Sequence, residues 1–311
     1  MKRTLLVLAV VVMVLGLFGA GFVFRQITKR TVGEFFDSNG IRIHYTVEGE
    51  GEPVILVHGV AANADVNWRA PGITEALARH YKVIALDNRG HGLSDKPHEK
   101  EKYGTQFCED IVRLMDHLGI EKARVVGYSM GCFVTLKLVT MHPDRLVCAA
   151  ACGAGWADPG EEPGLREMIA KSLESGNGFG PLMTAISPPG EAPRGRRVRY
   201  LNFMLSLTND TTALAAVFRS LGDLAITEEQ LRANTVPVLS VVGTKDPLRR
   251  GVDRMTGVMA NHKAVYIEGG NHLSTLSDPK FLQAIREFLE NPAEYVGTKE
   301  SHPESYEKEA A

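Results

Sequence analysis

Short apolar runs, each closed by glycine or a polar residue, recur along the chain from residue 53 onward. They are rich in Val, Ile, Leu and Ala, and their hydrophobicity is continuous rather than alternating, which is the pattern of strands covered on both faces. Helix-like segments separate the runs, and this alternation predicts an α/β fold with a mostly parallel central sheet flanked by helices. The runs occupy residues 53–59, 81–92, 123–129, 145–153, 236–246 and 263–272.

Helical segments and an opening hairpin complete the predicted core. The stretch RIHYTVEGEGEP at residues 42–53 alternates and then turns, which predicts the hairpin. Helices are predicted at residues 73–80, 106–118, 129–141 and 279–289. The core is therefore expected in two parts, residues 31–154 and residues 236–290.

An insertion separates the two parts of the core. Residues 155–235 contain no strand-like run, and LREMIAKSLE, RVRYLNFMLSL and TTALAAVFRSL have the spacing of amphipathic helices. This region is predicted to form a helical cap over the strand ends. The tail at residues 291–311 is polar and charged, and we expect it to fray.

The first 30 residues differ from the rest in hydropathy. The run from Leu5 to Phe24 carries no charge and has about 20 residues, so a helix of this length would reach about 30 Å, one hydrocarbon core. A cleavable signal peptide usually has a shorter apolar region and an A-x-A-like end, which LFGAGF matches in part. Residues 1–30 are therefore predicted to be a single-pass membrane anchor, with secretion after signal cleavage as the alternative. Basic residues on both sides leave the orientation open.

The composition is that of a globular protein and excludes some partners. Of the 311 residues, 44% are hydrophobic and 23% are charged, and the formal net charge is -2. Nucleic-acid binding needs a basic surface, so no nucleic-acid partner is expected. The cysteines have no zinc-ligand spacing, so no metal is expected, and we interpret them as small buried residues. A disulfide stays open for an exported domain. The cysteines are Cys108, Cys132, Cys148 and Cys152.

The stretch VVGYSMGCF places Ser129 between two glycines, after an apolar run and before a helical one. A G-x-S-x-G sequence at a strand-to-helix junction is the nucleophile elbow, a tight turn that exposes the serine oxygen above a sheet. Gly127 and Gly131 are expected because a larger side chain would collide in that turn. The alternative is that Ser129 only caps a helix.

A serine nucleophile needs a base and a group that orients the base, and two later strand ends supply both types. The stretch IEGGNH offers His272 as the general base, and VVGTKDP offers Asp246 as its orienting acid. The order serine, acid, histidine is the one expected after an elbow of this kind. Asp246 could instead cap the turn before a proline, in which case Asp253 and Asp158 are the alternative acids.

The oxyanion that forms during attack on a carbonyl needs two hydrogen-bond donors. The backbone N–H of Met130, immediately after the serine, is one expected donor. The second is expected from the loop that follows VILVHG, at Val60. Backbone donors do not depend on side-chain type, so both assignments rest on position.

The motifs VHG, DNRGHGLSD, GYSMG, GTKDP and GGNH follow one another in an order that resembles the α/β-hydrolase superfamily over residues 35–289. The resemblance implies a serine hydrolase that cleaves carboxylic esters, lipid esters among them, through an acyl-enzyme and without a metal or organic cofactor. It implies a structural role for Asp87, Arg89, His91 and Asp95. With an anchor and a cap, the chain is similar to membrane-tethered monoacylglycerol-lipase-like members, whose export would place the catalytic domain outside the cytoplasm.

Departures from family patterns exclude some branches of the superfamily but leave several activities open. Serine at the elbow argues against the dehalogenase and epoxide-hydrolase branches, which use aspartate there. HGVAAN lacks both the HGGG loop of hormone-sensitive-lipase-like esterases and the HGGPG of proline iminopeptidases. The same triad could serve C–C bond, amide or perhydrolase chemistry or acyl transfer, and a non-catalytic ligand-binding member is an alternative of another class. The oligomeric state stays open.

Three other features have two interpretations each. Trp68, after the predicted oxyanion loop, and Trp156, after a predicted strand, fit either core packing or a cavity wall. The basic run PRGRRVRY at residues 193–200 fits a solvated helix start or a contact with anionic lipid.

Overall fold

An eight-stranded sheet forms the centre of the computed structural model, which describes residues 31–157 and 163–295. The strands are β1 Glu34–Asp37, β2 Arg42–Glu48, β3 Pro53–Val57, β4 Lys82–Leu86, β5 Ala123–Tyr128, β6 Leu146–Cys152, β7 Val238–Gly243 and β8 His262–Ile267. Their order across the sheet is β1-β2-β4-β3-β5-β6-β7-β8. β2 pairs antiparallel with β1 and β4, and the neighbours from β4 to β8 are parallel. The predicted mostly parallel sheet is confirmed.

Helices cover both faces of this sheet. They are α1 Ile73–Ala78, α2 Gln106–His117, α3 Met130–Met141, α4 Pro163–Glu174, α5 Gly180–Ala185, α6 Arg196–Ser206, α7 Thr211–Ser220, α8 Glu228–Arg232, α9 Arg249–Met255 and α10 Pro279–Glu290. α2 and α3 share an apolar cluster with Val125 of β5, whereas α1 and α10 share another with Val126. Consecutive residues of β5 thus enter two different apolar layers, and this is why the strand is continuously hydrophobic.

Helices α4 to α8 lie between β6 and β7, in the region predicted as a cap. They have a small apolar core of their own, made of Ile169, Ala170, Leu173, Phe179, Leu182, Leu214, Ala215 and Phe218. Toward the end of the insertion, Leu224, Ile226 and Leu231 pack into the cluster around α2 and α3 instead. The insertion therefore forms a layer of its own and is fixed to the main core at its C-terminal end.

The prediction that residues 42–53 form a hairpin is wrong, because β2 has a different partner strand. β2 pairs with β1, with Phe36 opposite Ile43, and on its other side with β4, so it does not form a hairpin with β3. The hairpin turn lies at residues 38–41, where the Ser38 N–H donates to the Ile41 carbonyl at 2.8 Å. The sequence gives little sign of β1 because this strand is four residues long and buries one side chain, Phe36.

The expectation that the tail frays is wrong for its first residues. Pro292–Tyr295 is a 3₁₀ turn, and the ring of Tyr295 packs on that of Phe288 with centroids 4.9 Å apart. The burial of this ring holds the turn although its neighbours are polar. The rest of the tail and the predicted anchor at residues 1–30 lie outside the described residues. Within residues 31–157 and 163–295, none of the helices has the length and hydropathy of a membrane span.

Two glycines allow α3 to begin where β5 ends. A Cβ atom on Gly131 would lie 2.1 Å from the carbonyl oxygen of Val57 in β3, and one on Gly127 would lie 2.1 Å from the carbonyl oxygen of Gly131. Both distances are far below van der Waals contact. The strand and the helix can approach this closely because neither residue has a side chain.

We predict that Gly131→Ala destabilises the protein, because the added methyl group forces α3 away from β3. Overpacking of this kind should lower the melting temperature by about 5 °C or more in differential scanning calorimetry. Gly164→Ala is a matched control, since nothing lies within 4 Å of a Cβ atom at that position in α4. The control should melt at the wild-type temperature or slightly above it. A Gly131→Ala protein as stable as the control would contradict the close approach.

Candidate active site

Ser129 has a strained backbone at the junction between β5 and α3. Its φ of 58° and ψ of −113° lie in a region that residues with a side chain rarely occupy. Backbone hydrogen bonds hold this conformation from both sides: the Ser129 N–H donates to the Cys152 carbonyl at 2.9 Å, and the Ser129 carbonyl accepts from the Cys132 N–H at 2.9 Å. The position of the hydroxyl is therefore set by the backbone of the turn.

The structure brings Ser129, His272 and Asp246 into one hydrogen-bonded line. His272 Nε2 lies 2.9 Å from Ser129 Oγ, and His272 Nδ1 lies 2.8 Å from Asp246 Oδ2. An ionised carboxylate can only accept, so Nδ1 carries the proton and Nε2 accepts from the serine hydroxyl. The Asp246 and His272 side chains are both buried. This is the geometry that general-base activation of a serine requires.

Two adjacent parallel strands place the acid and the histidine next to each other. β7 and β8 pair in register with Gly243 opposite Ile267, so the loops that follow them leave the sheet side by side. A Cβ atom on Gly243 would lie 2.1 Å from the Gly270 carbonyl oxygen, which shows how closely the two loops approach. Asp246 also caps its own turn, because Oδ1 accepts from the Leu248 N–H at 2.9 Å. The two interpretations of Asp246 are thus compatible.

The alternative acids do not take this position. Asp253 is exposed and binds Arg249 at 3.2 Å and the Tyr266 hydroxyl at 2.7 Å. Asp158 lies outside the described residues.

Tyr128, which the sequence analysis did not single out, holds the loop that carries His272. Its hydroxyl donates to the His272 carbonyl oxygen at 2.6 Å, and the two rings lie with centroids 5.5 Å apart. Burial raises the pKa of this phenol well above its ordinary value, so the hydroxyl keeps the proton that it donates. A signal for this role was present, because Tyr128 immediately precedes the serine on a strand whose residues are all buried.

The loop after β3 brings a second backbone amide next to Ser129. A Cβ atom on Gly59 would lie 3.1 Å from the Ser129 Cβ, so this glycine permits the approach. The Gly59 N–H donates to Asn67 Oδ1 at 2.7 Å and is therefore already engaged. Met130 is the first residue of α3, and the first amides of a helix have no intrahelical acceptor. Val60 and Met130 line the same cavity as Ser129, and their N–H groups stay the predicted pair of oxyanion donors.

His58 fixes the peptide that contains the Val60 N–H. The Asn88 N–H donates to His58 Nε2 at 2.9 Å, so the proton of this neutral imidazole lies on Nδ1, which donates to the Gly59 carbonyl at 2.7 Å. In a trans peptide the C=O and N–H bonds point in opposite directions. The Val60 N–H therefore points away from His58. Burial lowers the pKa of His58 and keeps the ring neutral, which this arrangement needs.

A buried polar cluster around Asp87 packs against the same loop after β3. Asp87 binds His44 Nδ1 at 3.0 Å and accepts from the Ala64 and Leu93 N–H groups at 3.0 and 2.8 Å. Burial by itself would raise the pKa of Asp87, but the hydrogen bonds from these partners outweigh it and hold the pKa below its ordinary value. The His91 ring lies 5.2 Å from that of His58, and burial lowers its pKa to about 3.

The other charged residues of the DNRGHGLSD turn form hydrogen bonds with neighbouring elements of the core. Arg89 pairs with Asp110 of α2 at 2.7 Å, and Asp95 accepts from the Arg42 N–H at 2.8 Å. Asp87, Arg89, His91 and Asp95 thus all make contacts that shape this turn, and none of them is hydrogen-bonded to Ser129 or His272.

Two cavities meet at Ser129. The first, here called the Met130 cavity, has a volume of about 160 Å³ and is lined by Met130, Phe133 and Trp156 together with side chains of the inserted helices. The second, the His272 cavity, has a volume of about 410 Å³ and is lined by His272 and Asn67 among others. Both are lined by Val60, Ser129, Leu182 and Ile186. Trp156 is a wall residue, whereas Trp68 is fully buried in the core.

The four cysteines are free and buried, so they contribute to packing. Burial raises the pKa of Cys132 and Cys152 above the ordinary value, and both remain thiols at neutral pH.

Comparison with known proteins supports the fold assignment. Residues 52–177 match the family model described as the α/β-hydrolase fold. The strand order, the elbow and this match agree, and the fold of the chain is the α/β-hydrolase fold. The enol-lactonase of Burkholderia xenovorans has the same fold, with a TM-score of 0.67 and 23% identity, covering 83% of this chain and 100% of that one.

Two curated relatives that match over more than two thirds of this chain are named as hydrolases. The chain is 29% identical over 228 residues to the 2-hydroxy-6-oxo-6-(2'-aminophenyl)hexa-2,4-dienoic acid hydrolase of Metapseudomonas resinovorans, which covers 69% of this chain and 75% of the relative. It is 28% identical over 264 residues to the (E)-2-((N-methylformamido)methylene)succinate hydrolase of Acinetobacter baylyi, which covers 81% of this chain and 96% of the relative.

We predict that His91→Gln makes the protein less sensitive to acid. The folded protein holds the pKa of His91 at about 3, whereas the unfolded chain has the ordinary value of 6.5. Between these values the unfolded state binds the extra proton, so this histidine lowers the free energy of unfolding progressively as the pH falls from 6.5 toward 3. The urea midpoint should therefore fall less between about pH 7 and pH 5 in the variant than in the wild type.

The control for this measurement is His80→Gln, which removes an exposed histidine at the end of α1. It should lose as much stability on acidification as the wild type does. An equal loss in His91→Gln would show that the His91 imidazole is not kept neutral by the fold.

Proposed function

We propose that the protein is a serine hydrolase that cleaves carboxylic esters, lipid esters among them, through an acyl-enzyme on Ser129. The observation that supports this most strongly is the hydrogen-bonded line from Ser129 through His272 to Asp246 at the junction of two cavities. A serine hydroxyl becomes a useful nucleophile when a base and an orienting acid are arranged in this way. A ligand-binding protein has no need of such an arrangement, and this disfavours the non-catalytic alternative.

Acylation begins with attack of Ser129 Oγ on the carbonyl carbon, while the hydroxyl proton passes to His272 Nε2. The carbonyl oxygen becomes an oxyanion that accepts from the Val60 and Met130 N–H groups. The bond to the leaving oxygen then breaks, and that oxygen takes the proton from the imidazolium and departs as an alcohol. Asp246 stays ionised, holds the imidazole tautomer and stabilises its cation.

Deacylation repeats these steps with water. His272 removes a proton from the water as its oxygen attacks the acyl carbon. Ser129 then leaves and recovers a proton from the imidazolium, and the carboxylic acid is released. The cycle uses the residues of this chain and water.

C–C bond hydrolysis is the second candidate. It is supported by the likeness to the dienoic acid hydrolase of Metapseudomonas resinovorans over 69% of this chain. The same three residues would serve it, with a carbon in place of the leaving oxygen. A panel of esters, lactones and vinylogous diketo acids assayed side by side separates the two candidates by their kcat/KM values.

The localisation of the protein, at a membrane or secreted, stays a prediction from the sequence. An anchor at residues 1–30 would hold the catalytic domain at a membrane surface outside the cytoplasm and would bring it close to lipid esters. Secretion after signal cleavage remains the alternative.

We predict that Ser129→Ala abolishes hydrolysis of 4-nitrophenyl esters, with kcat/KM lower by about 10⁴-fold or more, because the nucleophile is removed. Labelling by a fluorophosphonate probe should vanish as well, while the far-UV circular dichroism spectrum stays that of the wild type. Ser206→Ala, at an exposed position in α6, is the control and should be labelled normally. Persistent labelling of Ser129→Ala would overturn the proposed nucleophile.

We also predict that His58 acts through the Val60 N–H. His58→Leu removes the donor to the Gly59 carbonyl, and the freed peptide should lower kcat by about tenfold to hundredfold with little change in KM, because the oxyanion forms after the substrate binds. His58→Asn places an amide nitrogen close to the position of Nδ1, so it should recover part of the loss.

The matched control is His91→Leu, which removes the neighbouring buried imidazole, whose Nδ1 bonds to the Arg89 carbonyl and not to the Gly59 carbonyl. It should lower the melting temperature as His58→Leu does but leave kcat near the wild-type value. If His58→Leu and His91→Leu reduced kcat equally, the role of His58 would be general packing.

A further inference from the structure

The two cavities at Ser129 differ in charge. The charged side chains among the described residues that line the Met130 cavity are Arg166, Arg250 and Arg254, and no acidic side chain is among them. The described residues that line the His272 cavity include no lysine, arginine or carboxylate. A substrate that occupies both cavities therefore meets positive charge on one side of its reacting carbon and mainly apolar groups on the other.

The proposed reaction decides which part of an ester enters which cavity. The leaving oxygen must lie near His272 Nε2, which returns the proton, so the alcohol part faces the His272 cavity. The oxyanion faces the Val60 and Met130 amides. The remaining substituent of the tetrahedral carbon is the acyl chain, and the Met130 cavity is the space left for it. This assignment rests on the proposed function.

The Met130 cavity is apolar along most of its wall. Phe133, Leu182 and Phe218 contribute to this wall, and the arginines are the exception to it. An acyl chain that fits such a space has an apolar middle and a negatively charged end. An arginine binds a carboxylate by two parallel hydrogen bonds, so it is suited to such an end.

Arg166 is the arginine on which the inference depends. It lies in α4, and its guanidinium packs against Gly222, where a Cβ atom would be 3.3 Å from Nη2. Arg254 is held at the cavity wall by its own contacts, with Nη2 donating to the Trp156 carbonyl at 2.7 Å and the guanidinium 5.5 Å from the Trp156 ring centre. Arg254 thus adds positive potential from a fixed position.

We propose that the substrates are half-esters of dicarboxylic acids, with the acyl carboxylate bound at Arg166 in the Met130 cavity. The ester of a neutral acyl chain of the same length lacks the charged end and is the poorer substrate. A carboxylate on the alcohol part would enter the other cavity and would not reach Arg166.

The test compares two 4-nitrophenyl esters of equal length, the hydrogen adipate and the ester of adipic acid monoamide. The wild type should prefer the acid in kcat/KM by about tenfold or more, since a hydrogen bond to a charged group is at stake. Arg166→Gln should remove most of this preference, leaving only what the potential of the other two arginines supplies, and Arg166→Lys should keep a larger part of it. About 1 M NaCl should weaken the preference, because salt screens charges that are open to solvent.

Two controls make the result specific. Arg197→Gln removes an exposed arginine of α6 that does not line the cavity, and it should keep the wild-type ratio. The rate ratio of 4-acetoxybenzoate to phenyl acetate, where the carboxylate lies on the leaving group, should not depend on Arg166.

The outcomes separate this inference from the proposed function. If the amide ester is hydrolysed in a Ser129-dependent reaction but the acid is not preferred, or Arg166→Gln keeps the wild-type preference, the inference is wrong and the hydrolase proposal stands. If neither ester is hydrolysed and the fluorophosphonate probe fails to label Ser129, the hydrolase proposal itself is wrong.

Discussion

The close approach of α3 to β3 and β5 is the constraint on which the site depends. Gly127 and Gly131 leave no side chain between these elements, and the backbone of Ser129 must then turn with φ near 58°. Such a conformation costs about 1–3 kcal/mol, and the surrounding sheet and helix have to supply that energy. This turn fixes the serine oxygen at the edge of the sheet before any substrate binds. It also fixes the first amide of α3, which follows the serine in the chain.

The remaining parts of the site are positioned by polar contacts that lie beneath it. Tyr128 holds the His272 loop through its carbonyl, and His58 holds the peptide that carries the Val60 N–H. In both cases a buried side chain bonds to the backbone of a loop, and the loop presents the reacting group on its other side. Donors fixed in this way need little reorganisation when charge develops in the transition state, which is how preorganised sites stabilise an oxyanion. The buried cluster around Asp87 also supports the loop after β3. Because the cluster keeps His91 neutral, it lowers the free energy of unfolding in acid.

The inserted helices contribute to the walls of both cavities at the site. Leu182 and Ile186 of the insertion line both cavities, so this layer forms part of the wall on each side of Ser129. Two relatives are named for different substrates, a dienoic acid and a methylene succinate. One fold can carry different residues around its site, so the fold alone does not fix the substrate.

The sequence by itself was enough to predict the wrapped sheet and the three side chains that meet in the candidate site, because continuous apolar runs, an elbow motif and residue order can be read along the chain. It failed for β1, whose four residues bury one side chain, and for Tyr295, whose burial depends on packing against Phe288 and the apolar layer around α10. The tertiary structure decided between Asp246, the predicted acid, and the alternative Asp253, because the alignment of β7 and β8 places Asp246 beside His272. It also revealed the contacts of His58 and Tyr128 and the charge of the Met130 cavity. These features join segments far apart in the chain, and no local pattern records which of them come together.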